Sequence, residues 1–138
     1  VQLEVGSTAT AFEWRPYGNE LALCQRYFQM TFNQGTAPAD GVTVGVQSLF
    51  GPYSTGAGQT TWINFITSMR ATPTITLYRL DGATNGQWAT YDGGWTSLTS
   101  SGATATNYGF MLTGNRTGAF TVKQCLLIDG NFTASSEL

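Results

Sequence analysis

Histidine is missing from this 138-residue chain, cysteine occurs twice, and charged side chains make up only 10% of it, against roughly 25% in an average soluble domain. Without an imidazole, the commonest general base poised near neutral pH is gone. Two cysteines and no histidine leave no credible zinc site. Six basic residues against eight acidic ones give a net charge of −2, which leaves no electrostatic footprint for phosphates and argues against nucleic acid as a ligand. No apolar run approaches the roughly 20 residues a bilayer-crossing helix needs, so membrane insertion is not expected. A phosphate loop, a Ser-centred nucleophile elbow and a dinucleotide fingerprint are all missing,. These gaps point to a protein that is not an enzyme, with no cofactor and no metal.

What remains is rich in glycine (17 residues) and aromatics (13%), the composition of turns and pleated strands. A chain of this length builds one ordinary core. Val1 to Val5 alternates apolar and polar residues and reads as the last strand of something upstream,. Asn19 is a suitable cap for a short connector helix, because Leu21, Cys24 and Phe28 recur at helical spacing, and the helix is expected to pass into a strand,. Val42, Val44 and Val46 mark a strand after the loop NQGTAPADG. In TTWINFI, Ile63 and Phe65 face one way and Trp62, Asn64 and Ile66 the other. In TITLYRL, Ile75 and Leu77 point inward. QWATY, ATNYGFMLT with Tyr108, Phe110 and Leu112 aligned, and AFTVKQCLLI with Phe120, Val122, Leu126 and Ile128 aligned complete a set of six to eight short strands,. The expected fold is all-β, an antiparallel β-sandwich with a short N-terminal connector helix, divided into a connector and assembly segment (1–28) and the sandwich proper (29–138).

Asp40, Asp81, Asp92 and Asp129 each stand beside glycine, as turn aspartates that bond their own backbone do. A glycosidase pair drawn from two of them in space is the enzymatic alternative, a depolymerase. Cys24 and Cys125 sit in apolar stretches (LALCQRYF and VKQCLLI), the setting of buried free thiols, and a disulfide between them stays open for an oxidising location,.

The stretch NGQWATYDGGW combines aromatic faces with neutral and acidic hydroxyl partners, the mixture that sugar recognition requires. Trp88, Tyr91 and Trp95 are its candidate platforms, with Asn85, Gln87 and Asp92 as polar partners. Core or interface packing is the competing reading of each aromatic. The segment from Tyr17 to Phe28, with Tyr17, Leu21, Leu23 and the neighbouring Arg15, is the candidate assembly surface,. Arg15 and Arg70 lie beside apolar or aromatic residues, so an ion pair or bonds to backbone carbonyls, within or between subunits, is their expected role.

Three stretches together resemble a family of bacteriophage virion proteins, many of them tail-fibre or other exposed structural proteins. They are VQLEVGSTATAFEWRPYGNELALCQRYF from Val1 to Phe28, INFITSMRATPTITLY with Met69-Arg70-Ala71 before Pro73-Thr74, and the ending FTASSEL. A looser similarity is to the H-type lectin sandwich, through Pro73 to Leu80, Asn107 to Leu112 with Gly109-Phe110, and Phe120 to Ile128. These resemblances imply a short jelly-roll or H-type-lectin-like sandwich, commonly a homotrimer, displayed on a virion beside other virion proteins. The function they imply is recognition of host-surface polysaccharide without catalysis. A capsid decoration or fibre-attachment protein with a purely structural role is the alternative.

Overall fold

The computed structural model describes residues 5–6, 8, 10–11, 14–51, 59–82, 87–91, 95–97, 99–115 and 126–136. They form one helix and nine strands: α1 (Tyr17–Gln25), β1 (Phe28–Met30), β2 (Gln47–Gly51), β3 (Gln59–Asn64), β4 (Thr74–Tyr78), β5 (Ala89–Tyr91), β6 (Trp95–Ser97), β7 (Thr99–Ala105), β8 (Gly109–Asn115) and β9 (Leu126–Ser135). The strands make two antiparallel sheets, of six and three strands, so the protein is an all-β sandwich with a short helix. The expected passage from helix into strand is present, and the division expected at Phe28 falls inside β1.

The larger sheet is organised around β9. Its first half pairs with β2 on one side and β5 on the other, with Ser48 and Ala89 both opposite Asp129. Its second half pairs with β1 and β4, with Phe28 and Thr74 both opposite Ser135. Only β6 lies one strand removed, bonded to β5. The smaller sheet has β8 between β3 and β7.

Alternation sends Phe132 and Ala134 of β9, Leu77 of β4, and Ile63, Phe110 and Leu112 of the smaller sheet into a shared core with Met69 and Trp88,. Phe110 and Phe132 meet edge to face across the layers, their ring centroids 4.9 Å apart. Each such buried side chain contributes about 1.5–3 kcal/mol by leaving water. Ile63, Phe65, Ile75 and Leu77 take the inward parity their spacing predicts, while Trp62, Asn64 and Ile66 face out.

The opposite face of β9 is also covered. Asn131 is buried there, donating 2.9 Å to the Val42 carbonyl and accepting 2.8 Å from the Thr31 hydroxyl. Thr31 Oγ1 in turn accepts from the Phe132 N–H at 3.0 Å. Phe32 packs edge to face on Tyr78 at 5.2 Å. An irregular segment, 31–46, is thus laced onto the sheet by side-chain and backbone bonds.

Four sequence expectations are corrected. Val42 to Val46 is not a strand: Gly41 and Gly45 take φ of 82° and 78°, and the chain passes so close to Thr31 that a Cβ at Gly45 would overlap its carbonyl,. Asp129-Gly130 is not a turn, because β9 runs through it to Ser135. Tyr108 is not aligned with Phe110 and Leu112, since β7 ends at Ala105 and Tyr108 projects from the connecting hairpin, 59% exposed. The helix begins two residues before Asn19, where Pro16 pre-sets its φ at −57° and its carbonyl accepts from the N–H groups of Asn19 (3.0 Å) and Glu20 (3.3 Å),. Phe120, Val122 and Cys125 lie outside the described residues.

Candidate functional site

The aromatic stretch from Asn85 to Trp95 separates into parts with different fates. Trp88 is 0% exposed, and its indole N–H donates 2.8 Å to the Asn131 carbonyl. This corrects its assignment as a sugar platform: the ring is core, held where Ala89 enters the sheet beside β9. Gln87 is half-buried. Backbone register sets Tyr91 directly opposite Trp95 in the β5–β6 pair, at the edge of the larger sheet. Asn85 and Asp92 lie outside the described residues.

The helix α1 has a different character. Leu21 and Leu23 are two residues apart, about 200° around a helix, so no single stripe gathers the apolar side chains,. None of its nine residues is buried, and Tyr17 is 70% exposed. On one side Tyr17, Leu21, Cys24, Phe28, Met30 and Ile66 line a groove of about 360 Å³. On the other, Trp14, Asn19, Leu23 and Arg26 line a shallower depression. Arg15 meets Glu20 at 3.4 Å, with both side chains about half exposed, a pair that adds little stability. Cys24 is a free, exposed thiol, which corrects the expectation that it is buried.

The base of α1 is nevertheless anchored. Gln29 is buried with both ends of its amide used: Nε2 donates to the carbonyls of Gln25 (3.0 Å) and Thr67 (2.6 Å), and Oε1 accepts from the Ile66 N–H (3.0 Å). The Arg70 N–H donates 2.8 Å to the Arg26 carbonyl. The Arg70 guanidinium lies over the Tyr27 ring, 5.6 Å from the centroid, so within the chain it makes a cation–π contact.

The carboxylates with described contacts serve structure. Asp40 accepts 2.7 Å from the Arg79 N–H, while the Gly41 N–H donates 2.7 Å to the Arg79 carbonyl. The loop carboxylate therefore clamps the end of β4 rather than bonding its own turn. Asp81 grips the Arg79 guanidinium through both oxygens, with Nε to Oδ1 at 2.8 Å. Among the described residues no group of three or more His, Cys, Asp or Glu side chains comes together.

One exposed aromatic was not singled out by sequence reasoning. Trp62 on β3 is 44% exposed, and its indole N–H donates 2.8 Å to Asn64 Oδ1 on the same face. The available signal was parity: Trp62 falls on the polar side of TTWINFI. Comparison with known protein families, curated proteins and solved structures finds no match to this chain.

Proposed function

We propose that this chain is a non-catalytic structural and adhesive module of a bacteriophage particle. In this reading it associates with further copies of itself, as a homotrimer, and meets other virion proteins and host-surface polysaccharide through uncharged surfaces. The observation that carries the proposal is α1, a well-anchored helix with none of its residues buried, its own Tyr17 and the nearby Trp14 and Ile66 being 70% exposed or more. Exposed apolar area on this scale is commonly an interaction site. Close to the axis of a homotrimer each residue meets its own copies, so charged side chains there would repel. The groove beside α1 is lined by apolar side chains and neutral amides, which makes it compatible with its own copy. The resemblance read in the sequence of residues 1–28 is what suggests the particle setting.

Sedimentation velocity across a concentration series tests the association. The chain is expected to form a defined oligomer that Leu21→Asp or Ile66→Asp dissociates while the fold persists. A wild-type chain that stays monomeric at all concentrations would overturn it. The purely structural alternative, a capsid decoration or fibre-attachment protein, is separated by a particle reconstruction showing location and copy number.

A further inference from the structure

We infer that the outer face of the three-stranded sheet, centred on Trp62, is a carbohydrate-binding surface for uncharged polysaccharide. The inference rests on the adhesive reading above and assigns it a site on the sheet face, where Trp88, buried in the core, cannot serve.

Register places the residues. Opposite Trp62 of β3 lies Met111 of β8, and opposite Met111 lies Thr104 of β7. Thr60 faces Thr113 in the neighbouring row, and Asn64 faces Gly109. The other parity of these strands, Ile63, Phe110, Leu112, Ala103 and Ala105, packs on the core. The outward set is therefore a continuous face carrying one indole, a thioether, an amide and threonine hydroxyls. None of these residues carries a charge.

The indole is fixed on that face. Its Nε1–H is held by Asn64 Oδ1, and its six-membered ring lies near Gly109, where an added Cβ would overlap the Ile63 carbonyl at 2.4 Å and come to 3.0 Å from Cε2 and Cζ2 of the ring. Glycine at 109 lets the ring settle diagonally across β8, and Gly109 itself is buried beneath it. Tyr108, one residue earlier, stands exposed at the hairpin tip.

A half-exposed indole whose orientation is set before any ligand arrives has already met the ordering cost that weakens binding by flexible side chains. Its π face suits the C–H groups of a pyranose, and the flanking hydroxyls and amide suit sugar hydroxyls. A uronate or phosphorylated glycan would find no cation among these outward side chains, so the face selects neutral chains.

Affinity electrophoresis tests this, in native gels cast with soluble α-glucan, β-glucan, galactomannan or arabinoxylan, with polygalacturonate as the acidic control. At least one neutral polysaccharide is expected to retard the wild-type chain, and polygalacturonate is not. Trp62→Ala should weaken the retardation about tenfold or more, as loss of a good aromatic contact does, while Trp62→Tyr stays within about threefold. The Trp88 indole N–H resonance reports that each variant is folded. Should Trp62→Ala lose that signal, Asn64→Ala, which frees the ring and removes the flanking amide, is expected to weaken retardation in its place. Retardation that survives Trp62→Ala would overturn the site and leave the adhesive reading standing. Absence of retardation by every neutral polysaccharide would overturn the site and carbohydrate adhesion together, and sedimentation would still report on self-association.

Discussion

Trp88 rests so closely on Gly130 that no side chain fits between them: a Cβ built at Gly130 would overlap Cδ1, Cγ and Nε1 of the indole. The same ring donates its N–H to the carbonyl of the next residue, Asn131. Glycine occupies mid-strand here because an indole needs the space above it, not because the chain turns.

Gly130→Ala should therefore destabilise the fold by about 2–3 kcal/mol, the cost of overpacking against an immobile ring. Urea denaturation would show this as a lower midpoint at unchanged slope. A variant as stable as the wild type would mean that Trp88 can move away at little cost.

Gln29 joins the end of α1, β1 and the segment around Thr67 through three hydrogen bonds. Gln29→Leu leaves two carbonyls and one N–H without that partner, and a loss of about 2–4 kcal/mol is expected. Hydrogen exchange should accelerate first in residues 17–25, since the side chain ties the helix to the sandwich. Uniform acceleration across all strands would show that the tie is not local.

Arg79 is a nearly buried cation, its side chain 4% exposed and gripped by Asp81, which is 21% exposed. Removing the carboxylate charge in Asp81→Asn should cost about 2 kcal/mol, below the value for a fully buried pair because water reaches Asp81. Arg79→Met combined with Asp81→Asn should be less damaging than the sum of the single changes, which a double-mutant cycle by thermal unfolding would measure.

Cys24 provides a reporter for assembly. Its thiol is exposed and lines the groove beside α1, so a thiol reagent should modify it readily in dilute, folded protein. Self-association through α1 predicts a modification rate that falls as protein concentration rises. A rate independent of concentration in a demonstrably oligomeric sample would move the interface elsewhere.

Sequence was most readable where one strand face meets the core and the other meets water. TTWINFI and TITLYRL kept their predicted parity for that reason. It was least readable in β9, which has cover on both faces. Asp129-Gly130-Asn131 imitates a turn, yet Gly130 answers to Trp88, and Asn131 answers to Thr31 and Val42, partners about 100 positions away that no local pattern announces. The valine alternation at 42–46 failed for the opposite reason: its parity was correct for a strand, but Gly41 and Gly45 bend the backbone out of the extended region. In the candidate sites, parity already placed Trp62 outward in TTWINFI, whereas nothing local marked Trp88 as the indole that packs beneath β9.

The position of β9 in the chain has a consequence for biosynthesis. The strands it joins, β1, β2, β4 and β5, all leave the ribosome before it, and Thr31 waits 100 residues for Asn131. At a translation speed of about 5–20 residues per second, that delay is roughly 5–20 s. During it β1, β2 and β4 lack the strand they pair with, while the smaller sheet and the β5–β6 pair can already form. A chain of this topology is expected to engage chaperones during translation and to release them once residues 126–135 have emerged, which sequencing of chaperone-bound nascent chains would check.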